Sequence, residues 1–286
     1  MSTHAGSVRV PGPRRPFEAP LSPAVAVAAT CAAVFGLVVM ANAIRGYGFG
    51  VDSLAYWSVW HHGFYTAPPG ARGAYLYSPA FAQAIWPLSH LPWPAFAALW
   101  SVGVAAALVW LLWPLRWALG LAALALVSPE IIVGNVWAFY AVVLVIGFRW
   151  PQAWAFPLLT KLTAAVGFIW FIVRREWRAL AKAAACAALV AVVSFVISPG
   201  LWPDWFRYLM HHQTPGWPPL VIRLPLALGL AVIGALRGRP AWLAWAIVFG
   251  SPVFGPENFV VLAALPRLHE TRWSPRLVGA GPVVPA

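Results

Sequence analysis

Residues 24–44, AVAVAATCAAVFGLVVMANAI, form a stretch of 21 residues without a formal charge, and this stretch limits what the chain can fold into. A helix of that length rises about 30 Å, the thickness of the hydrocarbon core of a bilayer. Similar apolar runs follow along the chain, which is 62% hydrophobic and only 9% charged, with a mean hydropathy of +0.76. No polar stretch is long enough to build a separate core. The sequence therefore predicts an all-α, polytopic membrane protein with a single transmembrane domain, residues 1–286.

Apolar runs between clusters of Gly, Pro and Arg predict about ten transmembrane segments. Several are shorter than about 17 residues, which is typical of helices broken or tilted around a polar cavity. The segment 79–91, PAFAQAIWPLSHL, is too short for a crossing and contains a proline, so a re-entrant or surface helix is expected after the first outer loop. The predicted segments are 24–44, 95–113, 117–128, 135–148, 150–160, 162–173, 179–198, 218–236, 241–252 and 257–267.

The basic residues predict how these segments are oriented. Most of the 19 Lys and Arg residues fall on one side if the N-terminus is inside, as the positive-inside rule requires. The tails 1–20 and 268–286 are then cytoplasmic, and the loops 45–78 and 199–217 lie outside. Because the basic residues lie between apolar runs, where they set topology, the net charge of +12 does not indicate a nucleic-acid partner.

Only seven residues are acidic, and four of them, Asp52, Glu130, Asp204 and Glu257, fall on the outer side. Carboxylates contribute little to orientation, so this grouping is independent of the cations and places any chemistry outside. Asp52 comes eight residues after the first span. It could be a general base for a polar substrate held at the membrane surface. It could equally cap a helix that is expected to begin at Ser53, and spacing alone leaves both interpretations open.

The outer loops combine aromatic rings with cations and imidazoles. Aromatic faces suit sugar rings, and they equally suit the lipid headgroup belt. Cations near outer helix ends suit a lipid phosphate, although Arg45 and Arg223 are expected to snorkel to the interface. Lys161 lies between two short apolar pieces and is expected to have a partner. The adjacent pairs His61-His62 and His211-His212 do not readily share one ion, so hydrogen-bonding roles are expected and no metal is predicted.

Several short motifs within about residues 24–182 resemble the GT-C superfamily of membrane glycosyltransferases, and most closely glycosyltransferase family 87. Two departures from the family pattern are Ala164, where the family has a proline shortly after a lysine, and a chain length of 286 residues, which is short for the family. The motifs are the acid in the first outer loop, the aromatic stretch Tyr75-Leu-Tyr77-Ser-Pro79-Ala-Phe81, the segment ending in Leu91-Pro92, the turn Gly134-Asn135, and Lys161-Leu-Thr163 followed by a basic helix end.

The resemblance implies transfer of a hexose or pentose, with mannose or arabinofuranose the best guesses, from a polyprenyl-phosphate donor to a glycan or glycolipid acceptor. The reaction would take place on the outer face of the plasma (inner) membrane, among membrane lipids, with inversion and with Asp52 as general base. A phosphate leaving group needs cationic stabilisation rather than a strong acid, so no cofactor is expected. The residues expected at the donor phosphate are Lys161, Arg207, His211 and His212, and those expected at the sugar or acceptor are Tyr56, Trp57, Tyr75, Tyr77, Glu130, Asn135 and Glu257.

Two other classes of function remain open from the residues. A transporter or lipid flippase would explain broken helices and a buried lysine, but it would also predict inverted repeats, and the sequence has no internal repeat. A non-catalytic scaffold, or a divergent inactive enzyme, would fit the short length but would leave the one-sided acids unexplained.

Overall fold

The computed structural model describes residues 21–160, 165–212 and 218–270, and within these ranges the regular elements are helices without strands. The all-α prediction is confirmed. Two 3-10 helices, Pro151–Trp154 and Pro256–Ala264, interrupt the series. The α-helices are α1 (Pro23–Tyr47), α2 (Val51–His62), α3 (Pro79–Ser89), α4 (Trp93–Leu112), α5 (Trp117–Val133), α6 (Trp137–Ile146), α7 (Ala155–Thr160), α8 (Ala165–Val173), α9 (Trp177–Ile197), α10 (Leu201–His211), α11 (Leu220–Leu236), α12 (Ala241–Gly250) and α13 (Leu265–Glu270).

Short polar residues, prolines and glycines set the helix ends. Ser22 caps α1, its side chain accepting a hydrogen bond from the backbone N–H of Val25 at 3.4 Å, and Pro23 occupies the first turn. α3 and α4 also begin with a proline in the first turn. The predicted outer loop 45–78 is not wholly irregular, because α1 continues to Tyr47 and α2 occupies Val51–His62.

Three helical stretches of the described chain are long and apolar enough to cross a membrane: Pro23–His62, which includes α1 and α2, and the helices α4 and α9. A fourth is reached if α5 and α6, which bend by 120° at a short break, count as one broken span. The ten predicted crossings are not confirmed. A hydropathy window counts apolar residues, whereas glycine and proline end several of these helices early, so that α6 and α12 have ten residues each.

The core surrounds α6, which packs against α4 and against both 3-10 helices. Trp137, Tyr140 and Leu144 on α6 are almost completely buried. The helices at the periphery expose apolar side chains instead: Phe35 on α1 is 63% exposed and Val196 on α9 is 74% exposed. Such outward apolar faces are typical of helices in contact with lipid, and the chain is a membrane protein.

Arg223 does not snorkel, and that prediction is wrong. The side chain is 2% exposed on α11, and its guanidinium lies 4.8 Å from the ring centre of Phe254. Its N–H groups donate to four backbone carbonyls, so the arginine ties the start of α11 to the end of α12 and the segment after it. The acceptors are the oxygens of Pro218 (2.6 Å), Phe249 (3.0 Å), Ser251 (2.5 Å) and Pro252 (3.2 Å).

Candidate active site

Asp52 lies in the first turn of α2 but does not cap it. The helix begins at Val51, and its cap is Gly50, whose backbone is left-handed with φ 71°. The expectation that Asp52 caps a helix beginning at Ser53 is therefore wrong. The half-buried carboxylate instead accepts a hydrogen bond from Asn135, whose Nδ2 lies 2.5 Å from Asp52 Oδ2. This contact joins the first turn of α2 to the break between α5 and α6.

Asn135 is fixed by its own backbone environment. The chain bends by 120° between α5 and α6, and Gly134, with φ 74°, ends α5 in the left-handed conformation that favours glycine. Asn135 is 7% exposed, and its Oδ1 accepts a hydrogen bond from the backbone N–H of Val136 at 2.7 Å. Because Oδ1 is used in this way, the donor side of the amide faces Asp52.

Ser53 lies between two glycines and allows α2 to approach the break closely. It is fully buried, and its Oγ donates to the carbonyl of Gly50 at 3.1 Å. A β-carbon added at Gly134 would lie 2.7 Å from this Oγ, and one added at Gly50 would lie 2.9 Å from it. The backbone N–H of Gly50 also donates to the carbonyl of Ile132 at 2.7 Å. Both glycines are therefore needed for the Asp52–Asn135 contact.

Two tyrosines extend the hydrogen-bonded cluster around Asp52. The Tyr77 hydroxyl donates to Asn135 Oδ1 at 3.4 Å, and the Tyr56 and Tyr77 hydroxyl oxygens are 3.1 Å apart. Burial raises the pKa of Tyr77 well above its usual value of 10.0, and nearby Tyr140 and Asp52 add to the rise. Tyr77 therefore stays protonated at neutral pH and remains a donor.

The other aromatic residues predicted at the sugar are largely occupied within the protein. Tyr75 is 3% exposed and donates to the carbonyl of Ser78 at 2.9 Å. Trp57 is half-buried, donates from Nε1 to the carbonyl of Leu91 at 2.8 Å, and stacks on His61 with ring centres 4.0 Å apart. Their contacts hold the loop after α2 in place beside Asp52.

Glu130 is 3% exposed, and its Oε1 accepts from the backbone N–H of Trp137 at 2.9 Å, at the start of α6. A carboxylate there satisfies an unpaired N–H and complements the positive end of the helix. This contact stabilises the start of α6. The predicted role of Glu130 in sugar binding stays a prediction.

A second polar site lies beside α10. Its pocket has a volume of about 330 Å³ and contains Arg207, His211 and His212 as well as Asp204, whose Oδ1 lies 2.6 Å from Arg207 Nη1. Burial, with the charge of Asp204, raises the pKa of Tyr65 above its usual value, so its hydroxyl stays protonated. We call this site the α10 pocket; its lining residues are Phe64, Tyr65, Asp204, Arg207, Tyr208, His211 and His212.

The described contacts do not bring Glu257 to the Asp52 cluster, nor do they bring Arg207, His211 and His212, which lie in the α10 pocket. Glu257 is half-buried in the first turn of the 3-10 helix Pro256–Ala264 and makes no hydrogen bond or ion pair within the described chain. Lys161 lies outside the described residues. Thr160, which precedes it, is 3% exposed and accepts from the Tyr140 hydroxyl at 2.7 Å. Within the ranges that the structure describes, no group of three or more His, Cys, Asp or Glu side chains could hold a metal ion.

Sequence reasoning missed the site roles of Ser53, Tyr65 and Tyr208, and it did not pair Asp204 with Arg207. The spacing of that pair, three residues apart on one helix, was a usable signal. No local signal exists for Tyr65 and Tyr208, because their rings meet at 5.5 Å across 143 residues of sequence.

The family model for glycosyltransferase family 87 matches residues 75–280, which is most of the chain. The match includes the α5–α6 break and the residues of α10 that line the pocket, whereas Asp52, Phe64 and Tyr65 lie before its first residue. No curated protein and no solved structure matches the chain. The matched region nevertheless exceeds half of the sequence and agrees with the resemblance of its motifs. The chain belongs to glycosyltransferase family 87 and is a membrane glycosyltransferase.

Proposed function

We propose that the protein transfers a hexose or pentose, mannose or arabinofuranose, from a polyprenyl-phosphate donor to a glycan or glycolipid acceptor, with Asp52 as general base. The observation that carries the proposal is the 2.5 Å contact between Asn135 Nδ2 and Asp52 Oδ2. A general base must be held in a fixed direction toward the hydroxyl whose proton it removes. The buried amide of Asn135, itself fixed by backbone, supplies that direction.

The other acids of the predicted outer face are less suited to this task. Glu130 is buried against the N-terminus of α6, and Asp204 forms an ion pair with Arg207. Glu257 makes no hydrogen bond to an orienting group within the described residues. Asp52 is the half-buried acid with an orienting partner, and the aromatic loop 63–78 adjoins it through Tyr77.

In the proposed reaction the acceptor hydroxyl attacks the anomeric carbon of the donor sugar while its proton passes to the Asp52 carboxylate. The bond between the anomeric carbon and the phosphate oxygen breaks, and polyprenyl phosphate leaves from the opposite face of the sugar. The product therefore has inverted configuration. Because the leaving group is already a phosphate anion, the site needs a cation beside it, and we assign that role to Lys161.

A groove lies between α3, α7 and α9. Its volume is about 270 Å³, and its lining is mostly apolar, with Phe81 from α3, Phe156 from α7 and Val190 from α9. Thr160, the residue before Lys161, lies at this groove. An apolar groove suits the prenyl chain of a lipid-linked donor, and we assign it that role; Lys161, which follows Thr160 in the sequence, is assigned to the donor phosphate.

We further propose that the site faces the extracytoplasmic side of the plasma membrane, with the tails 1–20 and 268–286 cytoplasmic and the loops 45–78 and 199–217 outside. The support for this orientation is the distribution of Lys and Arg between the apolar segments.

The proposal is tested by Asp52→Asn. Asparagine retains an oxygen that can accept from Asn135 Nδ2, so the variant should fold and insert normally, but it cannot take the proton. We expect the rate of sugar transfer from mannosyl- or arabinofuranosyl-phosphopolyprenol to fall by about 10²–10⁴-fold. Transfer by the purified full chain, measured with a radiolabelled sugar, gives the rate.

Glu176→Gln is the matched acid-to-amide control. Glu176 forms an ion pair with Arg174 at 2.8 Å, between α8 and α9, and takes no part in the proposed reaction. Its loss should change the rate by less than about twofold, since a partly exposed pair contributes little. An Asp52→Asn variant that transfers sugar at the rate of the Glu176→Gln control would overturn the assignment of the base.

A further inference from the structure

We propose that the α10 pocket is a carbohydrate subsite that binds a distal sugar of an oligosaccharide acceptor. The inference rests on the proposed function, because it assumes that the acceptor's reacting hydroxyl lies at Asp52. It assigns a different ligand from the donor phosphate that the sequence suggests for Arg207, His211 and His212.

The charge of the pocket favours a neutral ligand. Arg207 Nη1 lies 2.6 Å from Asp204 Oδ1, so the cation already has a carboxylate partner. A phosphate would have to share the guanidinium with that carboxylate and would be repelled by it. The two side chains are 69% and 48% exposed, so their remaining donors and acceptors can reach a ligand. An adjacent donor and acceptor suit a pair of sugar hydroxyls, each of which can both donate and accept.

The two imidazoles add hydrogen-bonding nitrogens to the same pocket. His211 Nδ1 lies 2.7 Å from the carbonyl oxygen of Arg207, and His212 Nδ1 lies 3.1 Å from that of Tyr208. A carbonyl oxygen can only accept, so each Nδ1 carries the proton and donates. With Nδ1 engaged by the carbonyl, the Nε2 atom of each ring is the one left for a ligand such as a sugar hydroxyl, which can both donate and accept.

Tyr65 supplies an aromatic surface in an unusual backbone conformation. Its φ is 57°, in the left-handed region that non-glycine residues rarely adopt, and its hydroxyl is anchored by donation to the carbonyl of Tyr77 at 2.9 Å. Such conformations persist where the surroundings impose them, and they are concentrated at functional sites. Phe64 and Tyr65 are both half-buried, so part of each ring is available to the apolar face of a sugar.

A row of tyrosine rings connects the pocket with the Asp52 cluster. Successive ring centres are 5.5 Å apart from Tyr208 to Tyr65, 6.0 Å from Tyr65 to Tyr75 and 5.7 Å from Tyr75 to Tyr77. Tyr77 belongs to the cluster that holds Asp52. The row of rings therefore joins the pocket to the cluster of the proposed base by a path that an oligosaccharide can follow.

The helix itself fits a membrane surface. Phe206 and Met210 are 52% and 71% exposed and lie one turn apart on α10, so the helix presents an exposed apolar strip beside Asp204 and Arg207. Such a helix places its apolar side among lipids and its polar side toward water. The pocket then lies at headgroup level, where the glycan of a membrane-bound acceptor is found.

A binding experiment on the full-length detergent-solubilised protein separates a sugar from a phosphate. Saturation-transfer NMR with α-linked oligomannosides and oligoarabinofuranosides, and phosphorus NMR with inorganic phosphate, are the two probes. The decisive variant is Asp204→Asn, which leaves Arg207 without its carboxylate. We expect it to weaken oligosaccharide binding about tenfold, as the loss of a charge-assisted contact does. Tighter phosphate binding by this variant, with sugar binding unchanged, would show an anion site and overturn the proposal.

Arg207→Gln should also weaken oligosaccharide binding, and Arg72→Gln is its matched control. Arg72 is an exposed arginine of the same predicted outer side and lies outside the pocket. Equal losses in both arginine variants would mean that the effect is one of general surface charge, against the proposal. Because both side chains are exposed, neither change threatens the fold.

Kinetics distinguish failure of the subsite from failure of the base. With an oligosaccharide acceptor, Asp204→Asn and Arg207→Gln should each raise the acceptor KM about tenfold and change the donor KM less than twofold. If these variants leave the acceptor KM unchanged while Asp52→Asn abolishes transfer, the subsite is refuted and the base stands. If Asp52→Asn remains active, the base is refuted, and oligosaccharide binding that depends on Asp204 still supports the subsite.

Discussion

Tyr65, Tyr75 and Tyr77 keep their phenolic protons because burial disfavours the phenolate, which raises the pKa of each above its usual value of 10.0. Each hydroxyl therefore donates at any physiological pH: Tyr65 to the carbonyl of Tyr77, Tyr75 to that of Ser78, and Tyr77 to Asn135 Oδ1. These three hydrogen bonds hold the loop after α2 in one conformation beside the site.

This burial predicts an alkaline transition. Above about pH 10 the unfolded chain loses phenolic protons that the folded chain retains, so the unfolded state binds fewer protons and stability falls as the pH rises. We expect absorbance near about 295 nm to show that these three of the seven tyrosines are protonated in the folded protein at about pH 11, and that all seven ionise after unfolding. Tyr77→Phe should remove one phenol from the group that titrates only on unfolding. Ionisation of all seven tyrosines in the folded protein near pH 10 would contradict the burial.

At the scale of residues, the sequence predicted the types of side chain in the site better than their tasks. Asp52 and Asn135 were singled out, and the structure brings them into contact. Glu130 and Tyr75 were expected to face a ligand, but they are 3% exposed and bonded to backbone. Burial depends on which elements close over a residue, and a single chain segment does not contain that information.

The break between α5 and α6 is the element that places Asn135, and Gly134 makes it possible. We expect Gly134→Ala to destabilise the protein by about 1–2 kcal/mol from left-handed backbone alone. The added β-carbon would also lie 2.7 Å from Ser53 Oγ, which must push α2 away. Since a displacement of about 1 Å in a catalytic group can cost about 10²-fold in rate, transfer should fall together with the melting temperature.

Gly229→Ala is the control for that variant. Gly229 lies within α11, and an added β-carbon would meet no atom within 4 Å. Alanine is the better helix former, so stability and transfer should be retained. Wild-type stability and activity in Gly134→Ala would show that α2 does not depend on a close approach at this glycine.

At the scale of elements, the sequence predicted α3 as a separate short helix. It expected a helix to begin at Ser53 but otherwise placed these residues in an outer loop, whereas α2 occupies Val51–His62. α2 buries Ser53, Ala55, Tyr56, Ser58 and Val59, a mixed set of small, polar and aromatic residues without a recognisable apolar pattern. Contacts of α2 with α3 and α4, such as the Trp60 Nε1 donation to Ala82 at 3.1 Å, hold the helix in place.

For the whole molecule, the proposed orientation predicts which positions water-soluble reagents reach from outside. Cys31 and Cys186, both free, are first replaced by alanine. Single cysteines at the exposed positions Ala71 and Arg178 then report on the predicted outer loop and the start of α9. We expect an impermeant maleimide to label Ala71→Cys in intact cells and Arg178→Cys only after permeabilisation. The reverse pattern would invert the topology and place Asp52 inside.

The family membership was predicted from short motifs and is confirmed over residues 75–280. The predicted number of ten crossings is not confirmed. Motifs such as Gly134-Asn135 are local and can be read in the sequence. The number of spans depends on where each helix begins and ends. The turn between α5 and α6 sets the end of α5 and the start of α6, and neighbouring helices stabilise that turn.

The short helices also have a consequence for biogenesis. α6, α8 and α12 have ten, nine and ten residues, so each rises only about 15 Å, half of the hydrocarbon thickness. None of them gives the insertion machinery a signal of spanning length, and each has helix ends whose polar groups only other protein segments can satisfy. These helices must therefore enter the bilayer together with longer neighbours that are already being released from the ribosome. Because α6 also packs against the 3-10 helix Pro256–Ala264, the core behind the proposed catalytic face is completed only after the ribosome has synthesised that helix.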